Sequence, residues 1–187
     1  LTSPELSHMA RYALERMSVP AATAALRGAL PRTSGNLKAG IINSLGRKRD
    51  ALSAPLLVAA LQDPSAEVAA AAALALGRIA TPGAVKALRE FQNTAPALLQ
   101  TAAADAYLEA AQTLMMRGNQ EAAAQIYGQF YPSGTSPSLR IAAFEGLVQA
   151  SPEEANTLLL GALKDKDATL RNTASRLIAQ SPGRQTP

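Results

Sequence analysis

Ser44-Leu45-Gly46-Arg47 returns as Ala75-Leu76-Gly77-Arg78 at an offset of 31, and this recurrence decides the fold. Its leucines belong to a longer ruler, because Leu14, Leu45, Leu76 and Tyr107 follow one another in equal steps of 31. After one longer step, of 40, the spacing resumes from Leu147 to Ile178. Lys38 to Leu45 and Asp63 to Leu76 also realign with Arg140 to Leu147 and Asp165 to Ile178, at one constant shift of 102. Under that shift Asp63-Pro64-x-x-x-Val68 faces Asp165-Lys166-x-x-x-Leu170. A fixed period of this length marks a stacked-repeat architecture, in which each unit buries its apolar face against its neighbours.

Composition points the same way. Alanine supplies 41 of the 187 residues and leucine 26, and these are the strongest helix formers. Valine and isoleucine together number 11, too few for a sizeable sheet. With no cysteine, neither a disulfide framework nor a thiolate metal site can form. No apolar run reaches the roughly 18–20 residues of a membrane-spanning helix. The net charge of +4 is scattered, apart from Arg47-Lys48-Arg49, which Asp50 follows. A nucleic-acid surface calls for a basic stripe with stacking aromatics, and aromatics make up only 4% of the chain, so composition argues against a nucleic-acid partner.

Apolar residues at helical spacing predict about eleven helices. The first, at about 4–17, carries Leu6, Met9, Ala10, Ala13, Leu14 and Met17 on one face. The next, about 20–30, carries Ala24, Leu26 and Leu30, and helices at about 36–46 and 51–62 follow. Asp63-Pro64 reads as a cap with proline in the first turn, starting helix 64–80, and Thr81-Pro82 does the same for 82–92. Residues 95–117 read as one long helix ending at Gly118-Asn119, with another at 120–130. After the loop 131–136, Ser136-Pro137 caps 137–150, Ser151-Pro152 caps 152–164, and the last helix is about 167–180. The expected organisation is a single all-α solenoid over 1–180, of five to six antiparallel helix pairs, and then a tail or linker at 181–187. The chain begins in what the register makes a second helix and without an initiator methionine, so it is expected to be a piece of a longer polypeptide.

Asp-Pro before the second helix of a pair, Val or Leu near its start and Ala-Leu-Gly near its end resemble HEAT repeats. The short period resembles the bacterial subclass called phycobilisome-lyase-like HEAT repeats. Met9-Ala10-Arg11-Tyr12-Ala13-Leu14-Glu15 and Gly40-Ile41-Ile42-Asn43-Ser44-Leu45-Gly46 further resemble HEAT segments of large exported proteins of planctomycete-type bacteria. That resemblance implies an exported or periplasmic location. The HEAT pattern carries arginine after the apolar residue that opens the second helix, forming a ladder with the preceding aspartate. Arg140 and Arg171 fit it, whereas Ala69 breaks it in the middle. The unit near 95–131, with Gly118-Asn119, Ala123, Tyr127 and Pro132, resembles a tetratricopeptide unit instead.

No constellation in the chain carries chemistry. His8 is the single histidine, without the converging partners that zinc or a catalytic triad needs. Glu153-Glu154 and Asp165-Lys166-Asp167 sit at predicted helix starts, where acids complement the helix dipole. No phosphate-cradling glycine motif occurs, and no cofactor is implied. One arrangement stands out. Arg16, Arg47 and Arg78 share the spacing of the ruler, at the ends of three successive second helices. One turn earlier the register places Tyr12, Asn43, Leu74 and Asp105, then Glu145 and Arg176. The arginines either complement helix C-termini or contact a ligand.

The expected function is a non-catalytic protein-binding or scaffolding module with a concave row formed by His8, Tyr12, Arg16, Asn43, Arg47, Arg78 and Asp105. Its partner is a protein, either another chain or another domain of the same polypeptide. Two alternatives belong to other classes: a tetrapyrrole (bilin) lyase or chaperone-like factor, and a HEAT-like DNA-binding protein.

Overall fold

The computed structural model describes residues 4–132 and 136–180, and every regular element among them is a helix. In chain order these are α1 (Pro4–Arg16), α2 (Pro20–Ala29), α3 (Gly35–Arg47), α4 (Ala54–Ala60), α5 (Ala66–Ile79) and α6 (Pro82–Thr94). Then come α7 (Gln100–Met116), α8 (Gln120–Phe130), α9 (Pro137–Ala150), α10 (Ala155–Ala162) and α11 (Ala168–Ala179). The fold is the all-α helical repeat that the spacing predicts. The predicted tail at 181–187 and part of the loop at 131–136 lie outside the described residues. No described helix is long and apolar enough to cross a membrane. The chain divides into two compact units, Leu1–Thr113 and Leu114–Pro187, with the division inside α7.

In the first unit the second helices α1, α3, α5 and α7 lie side by side, with α2 against α1 and α3 and with α4 and α6 against α5. The marks of the ruler are the core of this stack. Leu45 and Leu76 have no exposed surface and Tyr107 is buried, while Leu14, on α1, is half-buried. Glycine in the recurring motif has a packing reason. A Cβ at Gly46 would sit 2.8 Å from the Cα of Ala75, and one at Gly77 would strike the carbonyl oxygen of Ala106. Successive second helices therefore approach closely enough that only hydrogen fits at these two sites. Ala69, Ala72 and Ala73, all fully buried on α5, extend the same close packing along the helix. The second unit is centred on Phe144, Val148, Leu159 and Leu170, with Tyr131 stacked on Phe144 at a ring separation of 5.6 Å. There Gly146 lies flat against the ring of Tyr127.

Several helix starts differ from the sequence expectation. Helix α5 begins at Ala66 with Ser65 as its cap, whose Oγ accepts from the Val68 N–H at 3.5 Å. Asp63 does not serve that cap because its carboxylate is engaged by Lys38 and by the Ser65 N–H. The long helix starts only at Gln100, after a 3₁₀ turn at Ala97–Leu99. Pro96 holds Ala95 in an extended conformation, which stops a helix from running through. Helix α10 begins at Ala155 rather than at Pro152, and Ser136 makes no side-chain cap to α9. Thr81 does cap α6, accepting from the Ala84 N–H at 3.3 Å. On α2 it is Ala22 that faces inward, and Ala24 is exposed. On α1, Met9, Ala13 and Met17 of the expected apolar face are exposed and Ala10 and Leu14 are partly covered, while the Leu6 side chain lies outside the described ones. The structure describes no helix on the far side of α1.

Candidate functional site

The second helices α1, α3, α5 and α7 carry the predicted row. On α1, His8, Tyr12 and Arg16 follow one another at four-residue intervals and so share a face. Tyr12 is 49% exposed. The Arg16 guanidinium lies 5.7 Å from the centre of the Tyr12 ring and donates to its hydroxyl at 3.1 Å. Arg11 Nη2 approaches His8 Nδ1 at 2.9 Å, with the guanidinium as the donor. Asn43 is half-buried on α3, one turn before Arg47, and Asp105 is exposed on α7, one turn before Glu109.

Beneath this face lies a cluster that sequence reasoning did not find. Glu15 of α1 accepts from Arg47 Nη1 at 2.9 Å and from the fully buried Ser44 Oγ at 2.9 Å. Arg11 Nη1 donates to the same Ser44 oxygen at 3.2 Å and stands 3.8 Å from the Glu15 carboxylate. Gly40 makes room for it: a Cβ there would sit 3.0 Å from Arg11 Nε. Lys48 Nζ donates to the Met17 carbonyl at 2.6 Å, closing the end of α1 against α3. Burial pushes the Glu15 carboxyl up, but the hydrogen bonds from Arg47 and Ser44 and the charges of Arg47 and Arg11 outweigh it. The group is held below its ordinary value. Glu15 is thus an anion pinned between α1 and α3.

The arginine column is tied sideways as well as sited at helix ends. Arg47 reaches back to Glu15, and Arg78 lies 3.7 Å from Glu109, which is the next mark of the same register. In the second unit Arg176 pairs with Glu145 across the same interval. An acid one period away from each of these arginines, to within one position, was the available signal. Arg16 has a different neighbour, Tyr12, and donates to it rather than to a carboxylate. Pairs as exposed as Arg47–Glu15 contribute only about 0–1 kcal/mol each, so their structural effect is to orient side chains along the row.

A second set of charges lies at the opposite ends of these helices. Lys38 Nζ meets Asp63 Oδ2 at 2.6 Å, and Arg140 grips Asp165 with two nitrogens at 3.1 and 2.7 Å. The two pairs occupy equivalent places under the shift of 102, so lysine takes the arginine's place at the first of them. Arg140 also donates from Nε to the Tyr131 carbonyl at 2.9 Å and lies over that ring. Arg171 donates instead to the carbonyls of Asp165 and Lys166. The Lys38 hydrogen bond and the Ser65 N–H hold Asp63 below the usual carboxylate range. The Arg140 contact and the Asp167 N–H draw Asp165 down to about 2. At the gap in the ladder, Ala69 replaces the cation, and Thr94 stands where the matching acid would be. An open cleft of about 640 Å³ lies there, walled by Asp63, Phe91, Thr94, Pro96 and Leu98.

Comparison with known proteins agrees with this architecture. Residues 23–108 match the family described as HEAT repeats. Among solved structures the chain is similar to the complex of CpcE and CpcF of phycocyanin lyase from Nostoc sp. PCC7120, with 24% identity and a TM-score of 0.56 over 93% of this chain and 75% of that one. It is also similar to an engineered protein, with 18% identity and a TM-score of 0.55 over 94% of this chain and 86% of that one. No curated protein matches the sequence. Identities this low show the fold alone.

Proposed function

We propose that this helical-repeat chain is a non-catalytic protein-binding module whose contact surface is the second-helix row. The row comprises His8, Tyr12 and Arg16 on α1, Asn43 and Arg47 on α3, Arg78 on α5 and Asp105 on α7. The observation that carries this reading is lateral ordering. Tyr12, Asn43 and Asp105 all retain exposed surface at equivalent register positions, while the Glu15–Arg47 and Glu109–Arg78 pairs fix the arginines between them. A surface ordered before it meets its partner loses less side-chain entropy on binding. Tyrosine and arginine are also the types most often found as binding hot spots. HEAT repeats are typically non-catalytic interaction modules, and their contacts spread over successive units. The partner is another chain or another domain of the same polypeptide. The tetrapyrrole-handling alternative rests only on the likeness of fold to part of a phycocyanin lyase assembly, and no observation on the row favours it.

Photo-crosslinking tests the reading. A benzoyl-phenylalanine at position 12 or 43 is expected to trap a protein in the source extract, and one at position 86, exposed on α6, is expected to trap none. Crosslinking from position 86 with silence at 12 and 43 would move the interface to the first helices and refute it.

A further inference from the structure

Charge along the row is polarised. The second half of α1, the last turn of α3 and the turn that follows carry Arg11, Arg16, Arg47, Lys48 and Arg49, with Glu15 as the one carboxylate among them. Asp50, next in the chain, is already 3.4 Å from Arg27. Two helices further on the sign reverses, because Arg78 faces Glu109 and Asp105 stands exposed beside them. Glu15 is shared between Arg47, Arg11 and Ser44, so it offsets only part of this charge. Among the described residues Arg16 has no carboxylate within ion-pair distance, and the Arg47 side chain keeps 61% of its surface open. Arg49 is exposed too, in the turn after α3 where its backbone is left-handed at φ 49°.

We infer that this end of the row takes an acidic peptide segment of the partner, its carboxylates on Arg16, Arg47 and Arg49 and an apolar side chain on Met9 and Met17. This rests on the proposed second-helix interface and names the chemistry of its partner. Charge complementarity is the first argument, since cations outnumber carboxylates here, whereas around Arg78, Glu109 and Asp105 they do not. The second is the neighbouring stripe: Met9, Ala13 and Met17 lie at four-residue intervals beside His8, Tyr12 and Arg16, and all three are exposed. Methionine side chains adapt to varied apolar partners, which suits a peptide anchored by charge. The cluster covers two adjacent helices, about 8–10 Å between axes. That matches a few carboxylates of one peptide, whereas a nucleic acid needs a basic stripe with bases stacked on aromatics. Tyr12 is the exposed ring of this cluster, and Arg16 already lies over it.

The test uses the full chain and fluorescence anisotropy. The probes are a short fluorescein-labelled peptide of glutamates interspersed with leucines, the same peptide with lysine for glutamate, and a thymidine oligonucleotide of equal charge. The glutamate peptide is expected to bind, more weakly as salt rises, and the lysine peptide is expected not to bind. Arg16→Gln with Arg49→Gln is expected to weaken the glutamate peptide about tenfold or more, which corresponds to about 1.4 kcal/mol. Neither residue has a carboxylate partner among the described residues, so a matching thermal melt for this double variant confirms an intact fold. Arg89→Gln, on the exposed side of α6, is expected to change nothing. Equal loss with Arg89→Gln, or tighter binding of the oligonucleotide with the same dependence on Arg16, would overturn the inference. Crosslinks from position 12 to a partner that the glutamate peptide cannot displace would overturn it too, while leaving the second-helix interface standing. Absence of crosslinks from the row, by contrast, removes the interface itself.

Discussion

Gly77→Ala isolates the packing argument in one methyl group. Moving glycine to alanine inside a helix ordinarily stabilises it by up to about 1 kcal/mol. At Gly77 the new Cβ would collide with the Ala106 carbonyl oxygen and approach Glu109 Cβ to 3.1 Å. A backbone carbonyl cannot rotate away, so α5 and α7 must separate along their contact. Overpacking of this kind costs about 1–3 kcal/mol, and subtracting the full propensity gain leaves a net loss of up to about 2 kcal/mol. Gly28 on α2 supplies the control in the same unit, since a Cβ there meets nothing within 4 Å. Gly28→Ala is expected to raise stability by a few tenths of a kcal/mol, being near the end of its helix. For a unit of this size about 1 kcal/mol moves the melting temperature by about 4 °C. Thermal melts followed by circular dichroism should therefore show Gly77→Ala melting several degrees below wild type and Gly28→Ala slightly above it. If both variants gained stability, the close approach of successive second helices would be wrong.

Leu45→Ala and Leu76→Ala are each expected to cost about 2–5 kcal/mol in denaturant unfolding, because both side chains are fully buried at ruler positions. Arg47→Ala should cost less than about 1 kcal/mol, since its side chain is largely exposed and Arg11 remains beside Glu15; losses equal to those at the leucines would show the register to be misassigned. Asp165 has its pKa lowered from 3.8 to about 2 by Arg140, so the stability it contributes is present above about pH 4 and is lost as pH falls towards 2. Acid titration of Asp165→Asn should accordingly show a shallower loss of second-unit helicity across that window than wild type.

The period, the helix count and the buried leucines were legible because apolar spacing and burial are the same fact seen in one and in three dimensions. The spacing of the arginines was legible, but their ties to Glu15 and Glu109 were not, since each tie joins opposite charges about one period apart on adjacent helices. Lys38 is a weaker sequence signal for a rung than arginine, although the shift of 102 sets it opposite Arg140. The Arg11–Ser44–Glu15 cluster had the weakest signal, a glycine at position 40 inside a good helix. Its contacts join positions far apart in the chain and exist only once α1 and α3 are stacked. Helix starts failed where a side chain had a better partner than the local backbone, as Asp63 has in Lys38. Chemistry stayed illegible beyond the type of surface, because a stacked repeat places its binding contacts on many units and marks none of them with a motif.

The most direct test of the second-helix row is the affinity of the crosslinked partner for point variants of the purified chain, measured by calorimetry. Tyr12→Ala and Arg47→Ala are each expected to weaken binding by more than about 1 kcal/mol, as truncated hot spots do, and Lys86→Ala on α6 is expected to leave it unchanged. Unchanged affinity for both row variants, together with loss of binding in Lys86→Ala, would place the interface on the first helices and contradict the account.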